Sequence, residues 1–550
     1  MKIIKTFFIL SFFTYSAFTQ HITNTLGSSG VFTIKDAGTT FLTLKQTDGL
    51  ISIYSSINLS LTTSPESGII KKGNQSFLHD FTGAGSIGGN IFLGIYSGNF
   101  TMTTAAYNTG IGEFSLNSLT TGSRNTAMGF RSLFKAASGT DNSAFGSGAL
   151  YFNTTGSYNS AFGVGSLYSN ATSGNNSAFG YNTLTSNIGS NNSGFGAFAL
   201  YLNTTGSNNS TFGFNSLKHN STGSYNSSFG TASMDENTTG SFNSSFGYWS
   251  LKENTTGNYN CGFGSQTLTN STIGINNCAF GFGSMNLNIS GSSNTALGHN
   301  SMIENVSGTG NTSVGAFSFT GNTTGQLNTV IGYQAGSNIV SGSNNTLIGY
   351  NTEPSSSTVS NQITLGNNSV TSLRCNVTTI TSLSDRRDKK NIHDLNLGLG
   401  FISKLRPRIY NWDKREWYDN NTSDGSKMRS EPTAGFIAQE LDSLQTSENA
   451  EWLNLVLKDN QEKWEATPGN LLPIMVKAIQ ELGQKCDSLK KENEELSAGI
   501  LEVNDLKKMI DMLSTQIGKL NSRLVVLEVS ACQSKSKENL LKVISNENPE

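Results

Sequence analysis

One copy of the repeat that determines the fold reads NSAFGSGALYFNTTGSY, from Asn142 to Tyr158. The lead asparagine of this unit occurs fifteen times between Asn108 and Asn345, at steps of 17 residues with a single step of 16. Fifteen copies at one period predict a solenoid, in which each copy forms one coil and the coils stack. At about 4.8 Å per coil, the stack would be about 70 Å long.

Two positions of the repeat are apolar in nearly every copy. The fourth position is phenylalanine in all copies from Phe145 to Phe280, and the ninth is leucine or methionine from Leu133 to Met302. Stacking would align each position into a ladder and bury together what no single copy can bury alone. We therefore expect both ladders to be buried, in coils that have room for two or three short strands each.

The remaining positions of the repeat supply its corners. The fifth position, Gly146 in this copy, is glycine throughout, which suits a corner that requires positive φ. The Asn-Thr-Thr-Gly-Ser segment at residues 153–157 supplies the other turn. These corners and the apolar face resemble the stacked head repeats of trimeric autotransporter adhesins. The resemblance implies a trimeric stalk or head in which three chains share their apolar faces, and a monomeric solenoid is the alternative.

Acidic side chains are too scarce in the repeats to suggest an enzyme. A glycosidase needs two carboxylates that face one site at a defined separation, and the sequence gives no such pair. The repeats also contain many Asn-x-Ser/Thr triplets, but the period itself generates them, so their use as glycan acceptors stays open. Between residues 108 and 349 the acidic residues are Glu113, Asp141, Asp235, Glu236, Glu253 and Glu304.

The N-terminal residues have the pattern of a secretory signal. Lys2 and Lys5 precede a short apolar run, and the expected signal peptide covers residues 1–19. No later apolar run reaches about 18 residues, so we expect a mature chain that is secreted or displayed at the cell surface without a membrane span. The net charge of −2 gives no electrostatic reason to expect a nucleic acid partner.

A charged segment follows the repeats and reads SDRRDKKNI, from Ser384 to Ile392. Two further segments follow it, GFIAQEL at residues 435–441 and LLP at residues 471–473, which leads into AIQEL at residues 478–482. In this order, the three segments resemble the intramolecular chaperone domain of phage endosialidase tailspikes, a self-cleaving Ser/Lys family.

This resemblance implies a serine endopeptidase that acts once, on its own chain. Ser384 would be the nucleophile and Lys389 the base, with the cut on one side or the other of Ser384, next to Leu383 or Asp385. Crowding by cationic neighbours, together with burial, would favour the neutral amine that a base requires. The alternative is that Ser384 only caps a turn and the domain is a permanent trimerisation clamp. The motif residues expected to have structural or oxyanion-supporting roles are Asp385, Arg387 and Asn391.

A sustained heptad pattern follows the charged domain. Apolar residues recur every seven positions from Leu482 to Leu524, and a second seam that begins at Ile479 changes phase near Ile500. Asn493 lies in that seam, where it would help to fix register and oligomeric state. The pattern predicts a coiled coil.

The expected fold is therefore mainly β, with a solenoid fibre, a small α+β chaperone domain and a helical coiled coil. The expected limits are 1–19 for the signal peptide, 20–107 for a β-rich cap or attachment segment, 108–366 for the repeats, 367–383 for a β connector, 384–478 for the chaperone domain, 479–530 for the coiled coil and 531–550 for a flexible tail.

We interpret the chain as a secreted or cell-surface, adhesin-like fibre that assembles as a homotrimer and then cleaves itself next to Ser384. A glycan or cell-surface molecule is the expected ligand, and no cofactor or metal is predicted. The alternative is an ice-binding or polysaccharide-cleaving solenoid with a non-cleaving trimerisation domain. Cys261 and Cys278 replace serine at one position of successive copies, so a disulfide and a pair of small buried side chains both stay open.

Overall fold

The computed structural model describes residues 31–35, 40–45, 51–53, 57, 59, 61–376 and 384–544. The chain forms two compact units, with the boundary between Val370 and Thr371. The predicted signal peptide and the β pattern predicted at residues 377–380 lie outside the described residues. Within the part of the chain that is described, no helix is both long enough and apolar enough to cross a membrane.

The first unit begins with antiparallel strands. Strands β1 to β3 form one small sheet, and β4 and β5 form a hairpin that pairs with the first strand of the solenoid through Leu78 and His79. A hairpin in this place covers the edge of the parallel stack, where unpaired main-chain groups would otherwise attract another strand. These strands are β1 Val31–Lys35, β2 Thr40–Lys45, β3 Ile51–Ile53, β4 Ile70–Lys72 and β5 Gln75–His79.

The solenoid predicted from the repeat is confirmed. Seventeen strands of three residues pair in parallel, and each residue faces the equivalent residue of the next coil. The strands are β6 Ile91–Leu93, β7 Thr109–Ile111, β8 Thr126–Met128, β9 Ser143–Phe145, β10 Ser160–Phe162, β11 Ser177–Phe179, β12 Ser193–Phe195, β13 Ser210–Phe212, β14 Ser227–Phe229, β15 Ser244–Phe246, β16 Cys261–Phe263, β17 Cys278–Phe280, β18 Thr295–Leu297, β19 Thr312–Val314, β20 Thr329–Ile331, β21 Thr346–Ile348 and β22 Ile363–Leu365.

Each repeat contributes one strand, so the expectation of two or three strands per coil is wrong. The rest of the coil is a series of turns, with the buried Leu150 in the left-handed region at φ 52°. The turns still bond coil to coil: the amide of Leu150 donates to the carbonyl of Ser166 at 3.0 Å, and that of Phe152 to Tyr168 at 3.0 Å. The left-handed residues curl the chain too tightly for a second extended segment.

The two apolar ladders lie on different sides of the solenoid surface: the ninth-position ladder faces the interior and the fourth-position ladder faces outward. The ninth-position ladder is buried as expected, with Leu150 and its equivalents at 0% exposure. The fourth-position ladder is not buried in this way: Phe145 is half-buried and Phe212 is 60% exposed. Alternate residues of a strand point to opposite faces, so the small third residue, such as Ala144, fills the interior and phenylalanine points outward. The burial predicted for the phenylalanine ladder is therefore wrong, although its rings do stack.

Two ladders of buried asparagine run through the solenoid; the sequence analysis used the first only to mark the repeat and assigned the second to a turn. The side-chain Nδ2 of Asn142 donates to Asn125 Oδ1 at 3.0 Å and to the main-chain carbonyl of Gly156 at 2.9 Å. In the second ladder, Asn220 donates to Asn203 Oδ1 at 2.6 Å. Since buried amides must be hydrogen-bonded, each asparagine ties its coil to the next. Asn203 begins an Asn-Thr-Thr triplet and is fully buried, so the folded solenoid does not present it as a glycan acceptor.

The glycine corner has the geometry that the sequence predicts. Gly146 has φ 137°, a region that other residues rarely adopt. A Cβ atom at this position would lie 2.5 Å from the carbonyl oxygen of Gly163 in the next coil. Glycine is therefore required both by the backbone and by the close approach of neighbouring coils.

The second unit contains a small α+β domain and a long helix, and it confirms that fold class. Its apolar core joins α1, α2 and the start of α3 through Phe401, Leu441, Leu471 and Ile474. The elements are α1 Leu399–Ile402, β23 Arg408–Asn411, β24 Pro432–Gly435, α2 Ala438–Ser447, β25 Val456–Leu457, β26 Glu465–Ala466 and α3 Leu472–Ile544. Strand β23 pairs with β24, and β25 with β26, both antiparallel.

Helix α3 keeps its heptad residues in solvent. Leu489, Leu506 and Leu513 are at least half exposed, and every residue from 482 to 539 is classed as exposed in the single chain. A helix in water gains most of its stability from burial of one face, so an exposed apolar seam of this kind is typical of a helix that packs against another surface. The helix also continues through residues 531–544, within the segment for which a flexible tail is predicted.

Two leucines of one coil test whether the ninth-position ladder forms the core of the solenoid. Leu200 is fully buried, whereas Leu202 is 39% exposed. We expect Leu200→Ala to lower the free energy of unfolding by about 2–5 kcal/mol, because a cavity remains in the stack. The matched Leu202→Ala change should cost less than about 1 kcal/mol. Urea unfolding of both variants measures the difference, and equal midpoints would contradict the assignment of the core.

Candidate active site

The site begins with a short turn at the start of the Ser384–Ile392 segment. Residues Arg386–Asp388 form a 3-10 helix, and Asp385 caps it by accepting the amide of Arg387 at its Oδ1, at 2.8 Å. The amide of Lys389 donates to the carbonyl of Arg386 at 3.2 Å, after which the chain becomes extended. An aspartate immediately before a helical turn is a favoured cap, which explains why this sequence turns here.

The turn brings the two predicted catalytic residues together. The Nζ atom of Lys389 is in hydrogen-bond contact with the Oγ atom of Ser384. Both side chains are exposed. A serine hydroxyl needs an adjacent base to act as a nucleophile, so the contact supplies the arrangement that Ser/Lys chemistry requires.

Asp385 and Arg387 form a second pair on the same turn. The guanidinium Nη2 of Arg387 donates to Asp385 Oδ2 at 2.6 Å, and Nε donates to both carboxylate oxygens at 3.1 Å. Hydrogen bonds from this guanidinium hold the pKa of the Asp385 carboxyl below its usual value of 3.8. The pair therefore links residues of the same turn that carries Ser384 and Lys389.

The other residues of the motif stay at the surface. Asn391 has φ 52°, a left-handed conformation that asparagine tolerates better than most residues. All residues from 384 to 394 are exposed, so the described part of this chain does not bury Lys389 as expected. Leu383, on one side of the expected cut, lies outside the described residues.

The other two motif segments build the body of the domain. Leu441 of the second and Leu471, at the start of the third, lie in one core. Glu440 forms an ion pair with Arg408 at 2.5 Å, and Glu481 Oε2 accepts the amide of Leu399 at 2.7 Å at the start of α1. The sequence analysis did not single out Arg408, because only the pairing of β23 with β24 brings it to α2.

The two cysteines of the solenoid are free thiols. Cys261 and Cys278 face each other on adjacent strands, and both are half-buried. Burial, with a contribution from Cys278, raises the pKa of the Cys261 thiol to about 11. A thiol with a raised pKa is a poor nucleophile, so Cys261 has little thiolate character at neutral pH.

Comparison with known proteins finds one family that is similar to the first part of the second unit. Residues 384–448 match a family model described as chaperone of endosialidase, a peptidase family. The matched segment begins at Ser384 and ends just after α2, which confirms the resemblance inferred from the motif. The chain matches no curated protein, and no solved structure matches it. The solenoid is therefore followed by a segment similar to the chaperone of endosialidase family.

The Asp385–Arg387 pair can be tested by titration. In the folded chain the carboxyl pKa is lowered, so the stability from this pair is present above pH 3.8 and is lost as pH falls through the folded pKa. We expect Arg387→Gln to return the Asp385 pKa to its ordinary range. NMR titration of the carboxyl carbon measures it, with the neighbouring Arg386→Gln as the control. An unchanged pKa in Arg387→Gln would show that the pair does not form in solution.

Proposed function

We propose that this chain is an exported, adhesin-like fibre whose C-terminal domain aligns three copies and then cuts itself off at Ser384. The observation that carries the proposal is the contact of Lys389 with Ser384 at the first residue of the family match. The exposed seam of α3 and the repetitive solenoid support the assembly step, and the cationic, apolar N-terminal segment supports export.

Assembly needs a device that sets register. Successive coils pair through equivalent positions, and many of these pairs hold the same residue type, as Ser160 with Ser177 and Phe162 with Phe179. Chains that associate along such a surface can slip by one coil with little change in contacts. A parallel coiled coil formed by the α3 helices of three chains fixes the ends of the chains together, so the repeats associate from a defined start.

The outward phenylalanine ladder supports contact between solenoids. The rings of Phe145 and Phe162 stack at 4.6 Å with planes 8° apart, and those of Phe246 and Phe263 stack at 4.5 Å and 6°. Phe212 is 60% exposed in the single chain. A continuous apolar surface on a soluble protein marks an interaction site. In the homotrimer, each chain packs this ladder against its neighbours.

The cleavage step follows from the position of Ser384 Oγ in the chain. Attack on the preceding carbonyl, that of Leu383, closes a five-membered ring, whereas attack on its own carbonyl would close a strained four-membered ring. Lys389 takes the hydroxyl proton, the Leu383–Ser384 amide bond breaks and the Ser384 amine gains a proton. Water then hydrolyses the ester, which leaves a carboxylate on Leu383 and a free Ser384 hydroxyl.

Assembly precedes cleavage in this account. A lysine acts as a base only when its amine is neutral, and burial among other groups favours that form. The single chain leaves Lys389 exposed. Neighbouring copies held by α3 supply the burial, so the cut is made only in assembled chains. Loss of the domain then leaves a fibre that cannot readily dissociate and reassemble.

Self-cleavage is tested by comparing the full chain with Ser384→Ala, Lys389→Ala and the control Lys390→Ala on a denaturing gel. We expect the wild type and Lys390→Ala to split, and the two dyad variants to remain whole, because each lacks one partner of the proton transfer. Mass spectrometry should give a C-terminal fragment that begins with Ser384. A wild-type protein that forms trimers but stays uncleaved would contradict self-cleavage, and the domain would then act only as a permanent trimerisation clamp.

A further inference from the structure

Three potential ligand side chains meet on the outside of the solenoid, far in sequence from Ser384. His219 lies in one coil, and Asp235 and Glu236 lie in the next. Each offers one ligand atom, and these atoms all lie within 4.8 Å of one another. In an earlier copy the equivalent positions hold Tyr151 and Phe152, so the cluster is a local departure from the repeat.

The distances within the cluster suit a metal ion. His219 Nδ1 lies 3.2 Å from Asp235 Oδ1 and 3.4 Å from Glu236 Oε2. An ion that holds nitrogen and oxygen ligands at about 2.0–2.2 Å places neighbouring ligand atoms about 3–3.5 Å apart. The three side chains therefore stand near the separations that a shared ion requires.

One buried oxygen of the cluster, Asp235 Oδ1, lacks a hydrogen-bond donor. Asp235 is 8% exposed, and its Oδ1 is buried without a hydrogen bond. The nearby His219 Nδ1 instead donates to the main-chain carbonyl of Asp235, at 3.1 Å. A buried carboxylate oxygen without a donor is costly, and a bound cation would satisfy it.

We propose that His219, Asp235 and Glu236 bind a divalent transition metal ion, of which zinc is the representative. One imidazole and two carboxylates are ligands that zinc accepts, with water completing the coordination, whereas calcium and magnesium take oxygen ligands. On binding, Nδ1 gives up its bond to the carbonyl, and the ring proton resides on Nε2. The ion joins two successive coils and so strengthens the stack locally.

The surrounding charges set the strength of this site. In the coil after Glu236, Lys252 Nζ lies 3.6 Å from Glu253 Oε1 and forms an ion pair with it. Lys218 adds a positive charge that acts on Asp235, and it opposes a second cation. The site is therefore weaker than a closed structural zinc site, and it is partly open to solvent because Glu236 is exposed.

Metal binding is measured on the full chain after removal of metals with a chelator. Zinc uptake is followed by competition with a chromophoric chelator, and cobalt(II) serves as a spectroscopic substitute. We expect one zinc ion per wild-type chain and affinity at least about tenfold weaker in His219→Ala and Glu236→Gln. The control is His299→Ala, which removes an exposed solenoid histidine outside the cluster and should bind zinc as the wild type does.

Circular dichroism of each variant checks that the solenoid remains folded. Equal zinc affinity in the wild type and His219→Ala would overturn the proposal, because the ion would then bind elsewhere. Absence of uptake by the wild type would overturn it too and would leave an ion-paired cluster. Both readouts are independent of cleavage at Ser384, so the outcome does not depend on the proposed processing.

Discussion

Stacking of equivalent coils is the interaction on which the rest of this protein depends. A single 17-residue unit has one three-residue strand, one buried leucine and two buried asparagines, and it finds partners for all of them in its neighbours. The leucines occupy left-handed backbone conformations, which are costly for a bulky side chain, so burial in the ladder must outweigh that cost. Stability is therefore a sum of contacts between coils, in which no coil is self-sufficient.

The same equivalence creates the difficulty that the C-terminal unit is suited to solve. Because the coils are so similar, contacts between repeats would discriminate only weakly among the possible alignments of associated chains. The long helix has a heptad seam with a phase change and Asn493, features that distinguish one alignment from its neighbours. The Ser384–Lys389 contact lies at the start of the segment that matches the family, and under the proposed function this position allows the aligning part to be removed after assembly.

Much of this organisation could be predicted from the sequence, because period and spacing are properties of the chain itself. The leucine ladder, the Gly146 corner and the helical C-terminus were predicted and are confirmed. The position of phenylalanine was not, since Ser-Ala-Phe alternates across the wall and only the small residue fits inside. The buried asparagines were taken as turn residues, although a polar residue that recurs at one position of every copy can equally be a hydrogen-bonded ladder. Within the site, the Ser384–Lys389 contact depends on a local turn and was predictable. Arg408, Glu481 and the His219 cluster were not, because folding brings them to their partners.

The most direct test of the account compares the solenoid made with and without its C-terminal unit. Residues 20–383 are produced alone, and the same segment is obtained from the full chain after processing. Light scattering then gives the mass of each product, and heating in detergent gives its resistance to dissociation. The account predicts a detergent-resistant trimer from the full chain, and monomers or irregular aggregates from the segment produced alone. The same trimer from both sources would contradict it, because the solenoid would then align without a chaperone.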